Sequence, residues 1–366
     1  MTETADGPRD GARPPRLPRR TRLLLYCAFL LLVAAVVADL LTGPGTTLSP
    51  VLAVAPVLVG ATTRRARVPL ATGVAAAVAA GLLERGNTAV SGSVHLTALV
   101  TILAATLAST ANVVLISSRE RELLQVRTVS EAAQRALLRP PPERIGPLRI
   151  AVRYVAAAAE ARIGGDLYEV ADTPFGIRVL LGDVQGHGLS AVETAADVLG
   201  AFRAAARTEP DLARLAGRLD AALVARPDNE RFATAVLLGV DGPGGSALLV
   251  NCGHPHALLR RAGRVTELVP SRHAPPLGLL DLLGGGRYRA DPFEPLAGDL
   301  LLLHTDGFSE ARDPAGRFYP ITDRLAALHA TAPDALLDDL LDDLAAWVSP
   351  TGLDDDAAAL ALRWEY

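Results

Sequence analysis

Apolar residues are arranged differently in the two parts of the chain, and the change falls near Ser117. Upstream of it, apolar runs separated by short polar breaks cover residues 23–42, about 48–62, about 68–83 and about 94–116. A run of roughly 20 apolar residues is long enough to cross a bilayer as a helix. The pattern predicts an N-terminal all-α transmembrane bundle of about four helices within residues 23–117. Asp39 and His95 are ionisable residues close to span ends, where an interfacial position is expected.

Arginines predict the orientation of these helices. They flank the first run, separate the second run from the third, and follow the fourth, at residues 13–22, 64–67 and 119–121. The two remaining loops, 43–46 and 84–92, carry only Glu84 and Arg85. Because cytoplasmic loops are enriched in arginine and lysine, the pattern predicts a multi-pass cell-membrane protein whose tail, residues 1–22, and C-terminal region are cytoplasmic. Two alternatives stay open: the first run as a cleavable signal peptide, and the second and third runs as a re-entrant or interfacial hairpin.

Residues 118–142 connect the apolar region to the rest of the chain. In residues 118–138, apolar positions recur at helical spacing and form one stripe among charged positions. Three prolines, Pro140 to Pro142, then prevent the helix from continuing. The pattern predicts a connector helix, for which three uses stay open: a mechanical coupler, the seam of a parallel homodimer, or a spacer packed on the next domain.

Residues 143–366 alternate short apolar runs with turn signals, which indicates a separate globular domain. Six runs are typical of strands: 148–155, 177–184, 233–240, 247–250, 300–304 and 357–362. Three amphipathic stretches are typical of helices: 190–207, 211–225 and 334–348. Glycine and proline at 242–245 predict a hairpin turn. Because strands and helices do not alternate regularly, the order predicts an α+β layered domain and not a parallel βαβ fold.

Charge and cysteine content exclude two classes of protein. A net charge of -4 provides no field that would attract nucleic acid, so no nucleic-acid partner is expected. The two cysteines, Cys27 and Cys252, lie far apart in the sequence. They argue against a disulfide framework and fit a reducing compartment.

Acidic and glycine-rich motifs interrupt the apolar runs of the C-terminal domain. They read GGDLYE (164–169), GDVQGHG (182–188), NCGH (251–254), TDGFSE (305–310) and LDDDAAALAL (353–362). All but the third place an aspartate where a strand is expected to end. Carboxylates that converge from several strand ends supply the oxygen ligands that Mg²⁺ and Mn²⁺ prefer. The pattern predicts metal-assisted phosphate chemistry.

Taken in order, these motifs resemble the GGDFYD, GDVxGHG, NAGHPP, TDGLTEAR and DDxT motifs of the stage II sporulation protein E family. That family is a bacterial branch of the PPM-type, metal-dependent serine/threonine protein phosphatases. The resemblance covers about residues 129–363 and leaves the apolar region unmatched. It implies a C-terminal α+β domain, residues 143–366, with the PPM-type α-β-β-α sandwich and two Mn²⁺ or Mg²⁺ ions at one end.

The resemblance also implies roles for individual residues. Metal-ligand positions fall on Asp166, Asp183, Asp306 and Asp355 and on the backbone carbonyl of Val184. Glu310 would be a further metal ligand or would contact the ligands without binding the metal. A shift of one place in register would replace Asp355 by Asp356 as a ligand. From their position beside the proposed cleft, His187 and His254 could protonate the leaving oxygen or orient the phosphate, or either could instead satisfy buried backbone groups.

These expectations combine into a membrane-anchored, metal-dependent protein phosphatase acting on phosphoserine or phosphothreonine of a regulatory protein. The resemblance implies attack by a hydroxide shared between the two ions. It also implies a substrate such as an anti-sigma-factor antagonist, which would link the membrane to sigma-factor regulation. The alternative is a catalytically decayed phosphatase-like domain that acts as a membrane-tethered, partner-binding regulator.

Overall fold

The computed structural model of the chain describes residues 19–42, 46–156, 165–225, 231–241, 246–282, 284–350 and 352–365. The chain divides into two compact units, Met1–Leu123 and Leu124–Tyr366. The predicted hairpin turn at 242–245 and most of the predicted cytoplasmic tail, residues 1–22, lie outside the described residues.

The first unit is helical. Helix α1 is Arg19–Thr42, a 3₁₀ helix is Ser49–Ala53, α2 is Val54–Gly60, α3 is Arg67–Gly86 and α4 is Gly92–Leu137. By length and composition, α3 and the Gly92–Glu122 part of α4 could each cross a membrane. The bundle of four transmembrane helices stays a prediction, because the second apolar run forms only the 3₁₀ helix and the short α2. The last apolar run and the connector, predicted as two segments, form one continuous helix.

Small side chains allow the helices of this unit to approach closely. A Cβ on Gly60 would lie 1.9 Å from Ser109 Oγ, and one on Gly73 would lie 2.1 Å from Thr106 Oγ1. The Ser109 hydroxyl also donates to the carbonyl of Pro56 at 2.8 Å. Helices α2 and α4 are therefore joined by close packing and by a hydrogen bond, as is common between helices in a bilayer.

Asp39 and His95, which the sequence pattern places near an interface, are both buried within the first unit. The Asp39 carboxylate accepts hydrogen bonds from the amide of Leu48 and from Asn87 Nδ2, the latter at 2.7 Å. It therefore links the end of α1 to the segment before the 3₁₀ helix and to the residue that follows α3.

The second unit contains two antiparallel sheets and the helices that cover them. Its strands are β1 (Arg144–Ile145), β2 (Leu148–Val155), β3 (Leu167–Thr173), β4 (Gly176–Val184), β5 (Ala233–Val240), β6 (Ala247–Cys252), β7 (Ala257–Arg261), β8 (Arg264–Leu268), β9 (Asp291–Phe293), β10 (Leu300–His304) and β11 (Ala357–Trp364). Its further helices are α5 (Leu189–Ala205), α6 (Leu212–Val224), α7 (Asp306–Ser309), α8 (Ile321–Ala327) and α9 (Pro333–Val348). The first sheet has the order β1-β2-β11-β10-β7-β8, and the second has the order β3-β4-β5-β6-β9.

Alternation of side chains along each strand divides the core into layers. On β4, Leu180 packs with α5 and α6, whereas Val179 and Leu181 pack against the first sheet. On β11, Leu360 packs against the second sheet and Ala359 packs with α9. The order of layers is therefore helices, second sheet, first sheet, helices. This confirms the predicted α-β-β-α sandwich of the C-terminal domain.

The predicted strands and helices of this domain agree closely with the observed ones. Strands β2, β5 and β10 have the predicted bounds, and the ends of α5, α6 and α9 differ from prediction by two residues at most. The sequence pattern does not identify β1, β3, β7, β8, β9, α7 or α8.

Candidate metal centre

Asp166 and Asp183 lie together at one end of the second sheet. Asp183 is the penultimate residue of β4, and Asp166 directly precedes β3. The two strands are antiparallel and Leu167 pairs with Gly182, so the start of β3 lies beside the end of β4. The expectation that each motif aspartate ends a strand is wrong for Asp166. Antiparallel pairing nevertheless brings it to the same edge.

Asp306, Asp355 and Asp356 lie at one end of the first sheet. Asp306 begins α7 just after β10, and Asp356 directly precedes β11. His304 of β10 pairs with Ala359 of β11. The end of β10 therefore lies beside the start of β11, so Asp355, like Asp166, precedes a strand and does not end one.

Thr305 connects the two sheets at this edge. Its hydroxyl donates to Asp166 Oδ2 at 3.1 Å and accepts from the amide of Ala358 at 2.9 Å. Thr305 and Asp166 are both buried. The aspartates of the two sheets therefore form one group, called here the acidic cluster: Asp166, Asp183, Asp306, Asp355 and Asp356.

Tyr154 is a second hydroxyl group in contact with the acidic cluster. It lies on β2 opposite Ala358 of β11, and its phenol donates to Asp356 Oδ2. The amide of Asp356 donates to Asp355 Oδ1 at 2.8 Å. Burial, reinforced by Asp356, raises the pKa of Tyr154. The phenol therefore stays protonated and remains a hydrogen-bond donor.

Two glycines allow the strand ends to approach one another. A Cβ on Gly307 would lie 1.8 Å from the carbonyl oxygen of Asp356, and one on Gly165 would lie 2.3 Å from the carbonyl oxygen of Val184. Val184 ends β4, and its amide donates to the carbonyl of Gly165 at 3.2 Å. A side chain at either glycine would push apart the backbone segments that carry the aspartates.

Burial and mutual repulsion raise the pKa of several members of the acidic cluster. Burial, reinforced by neighbouring carboxylates of the cluster, raises the pKa of Asp183 to about 8. The same two causes raise the pKa of Asp166 and of Asp306, and the carboxylates near Asp306 include Glu310. Among the residues with described positions, the groups that oppose this rise are the Thr305 hydroxyl and backbone amides, and no arginine takes part.

The donor set fits hard divalent cations by its chemistry and its charge. It consists of carboxylate oxygens, with the backbone carbonyl of Val184 as a further candidate, and such oxygen ligands are the ones that Mg²⁺ and Mn²⁺ prefer. No three His, Cys, Asp or Glu side chains in the described ranges are already arranged as the ligands of one ion. The carboxylates are thus neighbours that repel one another, and a divalent cation would offset that repulsion.

The sequence of the second unit matches a known family along most of its length. The family model described as stage II sporulation protein E (SpoIIE) matches residues 173–365, just over half of the chain. The chain belongs to the stage II sporulation protein E family. Asp183, Asp306 and Asp355 lie inside the matched region of this SpoIIE-family protein, and Tyr154 and Asp166 lie before it.

Solved structures show the fold of the SpoIIE-family domain. The SiaA-PP2C domain of Pseudomonas aeruginosa is similar with 18% identity and a TM-score of 0.56, covering 68% of this chain and 98% of that one. The phosphatase domain with a regulatory fragment of SpoIIE from Bacillus subtilis has 18% identity and a TM-score of 0.51, covering 60% and 65%. The RsbU and RsbW domains of a Mycobacterium tuberculosis protein have 25% identity and a TM-score of 0.50, covering 60% and 61%. The chain spans less than two thirds of the last two structures, and its second unit has the PP2C-like phosphatase fold.

The two candidate histidines of this SpoIIE-family domain differ in their surroundings. His254 is buried, its Nδ1 lies 2.9 Å from Thr234 Oγ1, and its amide donates to Asn251 Oδ1 at 2.9 Å. Burial, followed by the nearby His304, lowers the pKa of His254 to about 3. His254 is therefore neutral and holds the NCGH turn. His187 is exposed between β4 and α5, and it is the one of the pair that solvent can reach.

Three residues in contact with the acidic cluster or its partners are not identified by the sequence pattern: Thr305, Tyr154 and Gln134. Thr305 could have been found, because it precedes Asp306 within the TDGFSE motif. Tyr154 and Gln134 carry no such signal, since the phenol of Tyr154 meets Asp356 across 202 positions of sequence. Glu310 is exposed just after α7, and its amide donates to the carbonyl of Asp306 at 2.7 Å.

Proposed function

We propose that this protein is a metal-dependent protein serine/threonine phosphatase anchored in the membrane by its first unit. The observation that supports this most is the convergence of carboxylates from both sheets at one edge of a PP2C-like fold. The hydrogen bond from Thr305 to Asp166 joins the two sheets there. The raised pKa of Asp183 reflects the closeness of its carboxylate neighbours as well as its burial.

The chain would use its acidic cluster to hold two Mn²⁺ or Mg²⁺ ions, through Asp166, Asp183, Asp306, Asp355 and the Val184 carbonyl. Such ions, when bound, activate water and neutralise the charge of a phosphate. Asp166 and Asp183 would release protons as a cation binds, because their pKa values are raised in its absence. Asp355 and the neighbouring Glu310 are exposed, so these two carboxylates are the ones that an incoming phosphoprotein would meet first. The exposed His187 is the candidate donor of a proton to the leaving oxygen.

We infer that the substrate is a regulatory protein carrying phosphoserine or phosphothreonine, with an anti-sigma-factor antagonist as the candidate. Family membership supports this inference. The similar Mycobacterium tuberculosis structure also contains an RsbU domain together with an RsbW domain.

Anchoring in the cell membrane rests on α3 and on the Gly92–Glu122 part of α4. With α1 and the segment of α2 as further spans, the N-terminal tail and the phosphatase domain would both be cytoplasmic, as the arginine distribution favours. A homodimer through residues 118–138 belongs to the same proposal, because that part of the sequence keeps one apolar stripe.

Replacing one carboxylate of the acidic cluster tests the activity. Full-length protein in lipid nanodiscs with MnCl₂ should hydrolyse p-nitrophenyl phosphate and a phosphoserine peptide. Asp183→Asn should reduce both rates to the enzyme-free background, because it removes a ligand from the centre of the cluster. Asp172→Asn is the matched control, since Asp172 is exposed on β3 and lies outside the cluster. Full activity in Asp183→Asn would contradict the metal assignment.

Calorimetry separates this proposal from a catalytically decayed, partner-binding domain. Heat of Mn²⁺ binding in the wild type that is lost in Asp183→Asn supports the phosphatase. An absence of Mn²⁺ binding in the wild type, together with an absence of hydrolysis, supports the partner-binding regulator.

A further inference from the structure

Tyr154 and Asp356 form a partly buried contact for which the proposed chemistry gives no direct use. Tyr154 pairs with Ala358 of β11, which brings its phenol next to the residue that precedes that strand. The phenol donates to Asp356 Oδ2, and Asp356 is only 3% exposed. A carboxylate removed from water needs hydrogen bonds or an opposite charge, and the phenol supplies one such bond.

Asp356 in turn fixes the backbone beside two other members of the acidic cluster. Its amide donates to Asp355 Oδ1 at 2.8 Å. Its carbonyl oxygen lies so close to Gly307 that a Cβ there would be 1.8 Å away, and Gly307 directly follows Asp306. A displacement of Asp356 would therefore move the Asp355 carboxylate and the turn that carries Asp306.

Gln134 contacts the phenol from helix α4. It lies in the last turn of that helix, is 8% exposed, and has Oε1 at 3.3 Å from the Tyr154 hydroxyl. A phenol has one proton to donate, and the carboxylate of Asp356 is the stronger acceptor. Rotation of the Gln134 amide would offer its NH₂ group to the phenol oxygen. The phenol is therefore held between a helix and a carboxylate.

We propose that Tyr154 is a positioning residue of the acidic cluster, that it acts through Asp356, and that Gln134 orients its phenol. The metal-binding part of this inference rests on the proposed function, whereas its effect on the backbone of residues 354–358 does not. Residues that hold metal ligands in place change metal affinity or activity by about 10–100-fold when they are removed.

Tyr319 provides a matched comparison in the same domain. Its hydroxyl donates to Asp343 Oδ2 at 2.6 Å, and Tyr319 is 2% exposed. It packs with residues of α8, α9 and the first sheet. Asp343 is not among the carboxylates that raise the pKa of Asp183. Tyr319→Phe therefore removes the same kind of tyrosine–aspartate bond without touching the acidic cluster.

Separate measurements of Mn²⁺ affinity and of stability test the proposal. Full-length variants in nanodiscs would be titrated with MnCl₂ by calorimetry and by Mn²⁺ EPR, and melted in EDTA. We expect Tyr154→Phe to weaken Mn²⁺ binding by about tenfold or more, and Gln134→Leu to weaken it less. Tyr319→Phe should lower the melting temperature without changing the affinity. Unchanged Mn²⁺ affinity in a folded Tyr154→Phe, or an equal loss in Tyr319→Phe, would overturn the proposal.

Hydrogen exchange in EDTA tests the positioning role without metal. Residues 354–358 should exchange faster in Tyr154→Phe than in Tyr319→Phe, and equal exchange would overturn the proposal. A wild type that binds no Mn²⁺ would contradict the proposed function, and this exchange comparison would then decide the positioning role alone. If Tyr154→Phe does not fold, Gln134→Leu takes its place in both measurements, because it removes only the outer contact of the phenol.

Discussion

Asp166, Asp183 and Asp306 have raised pKa values because burial and neighbouring carboxylates act on them in the same direction. The bonds that hold the cluster include two from neutral hydroxyl groups, Thr305 to Asp166 and Tyr154 to Asp356. Such donors fix the carboxylates in space without cancelling their charge. Protons and divalent cations therefore compete for the same oxygens.

The stability of the metal-free protein should fall as the pH rises from about 6.5 to about 8 and should level off at higher pH. The pKa of Asp183 is about 8 in the folded protein and about 3.9 when unfolded. A raised carboxyl pKa stabilises the fold fully below the unfolded pKa, and this stabilisation is lost progressively until the pH reaches the folded pKa. His254, whose pKa is lowered to about 3, acts in the opposite direction, but its contribution is nearly complete above its unfolded value of about 6.5.

Thermal unfolding in EDTA across this pH range checks the expectation. The melting temperature of Asp183→Asn should fall less with rising pH than that of the wild type, because the substitution removes one of the titrating groups. Saturating Mn²⁺ should also make the melting temperature of the wild type fall less with rising pH, since the cation favours the ionised carboxylates. A wild-type melting temperature that stays constant or rises with pH in EDTA would show that the cluster is ionised already.

Gly307→Ala should destabilise the domain and weaken Mn²⁺ binding. The added Cβ would lie 1.8 Å from the Asp356 carbonyl oxygen, and relieving such a clash costs about 1–3 kcal/mol. Gly200→Ala is the control, because Gly200 is exposed on α5 with nothing within 4 Å of the new Cβ. That change should be neutral or should stabilise by up to about 1 kcal/mol. Equal unfolding free energies for the two variants in urea would contradict the close approach.

At the level of elements, the sequence predicts well those buried strands that are mostly apolar, whereas β7, which is also buried, ends in two arginines and is not identified. β4 and β11 are mostly apolar, because one face packs on helices and the other on the opposite sheet. β3 reads LYEVADT, with Glu169 and Asp172 among its apolar residues, and β8 is mostly exposed. β9 has three residues including Pro292. Their pairing partners define these strands, and no single-sequence pattern contains that information.

The site shows the same division between local and distant information. The aspartates could be placed because each lies in a short glycine-containing motif whose neighbours are also distinctive. The Tyr154 phenol, which bonds to Asp356, could not be placed from the sequence. Its position depends on the register that sets Tyr154 of β2 opposite Ala358 of β11. The resemblance supplied the candidate ligand positions, and the sheet topology supplied the contacts that support them.

Arg203 connects the end of α4 to the strands and helices of the second unit. Its Nη2 donates to the carbonyl of Leu137 at 3.0 Å, and its Nε donates to Glu169 of β3 at 2.8 Å. Because these groups are only partly exposed, Arg203→Met should cost about 1–2 kcal/mol in urea unfolding. Arg214→Met is the control, since the Arg214 side chain is 67% exposed in its pair with Glu209 and should contribute less than about 0.5 kcal/mol. Equal losses of unfolding free energy in the two variants would argue against the contact between Arg203 and the end of α4.

On the scale of the whole molecule, the chain combines a helical unit of apolar, outward-facing residues with a phosphatase-like unit. Large hydrophobic side chains such as Leu82, Leu96 and Leu103 are more than half exposed in the first unit. Water would penalise such a surface, whereas lipid would not. The exposed apolar surface of α3 and α4 therefore supports anchoring independently of their length.

Cysteine labelling in cells tests the proposed topology. In a background without Cys27 and Cys252, Ser91→Cys lies between α3 and α4, and Thr63→Cys lies between α2 and α3. We expect a membrane-impermeant maleimide to label Ser91→Cys in intact cells and Thr63→Cys only after permeabilisation. The reverse labelling pattern would indicate the opposite orientation in the membrane. Labelling of both variants in intact cells would contradict membrane insertion of α3.

The position of β11 has a consequence for how the protein is made. It is the last strand along the chain, yet it lies between β2 and β10 in the first sheet. During translation the apolar helices leave the ribosome first, while the phosphatase domain lacks its middle strand until Trp364 has cleared the exit tunnel. As stalled nascent chains are made longer, protease resistance should therefore appear in one late step. Resistance in shorter chains would show that β2 and β10 fold without β11. In a chain built in this order, the apolar helices would have left the ribosome before the C-terminal domain could close its first sheet.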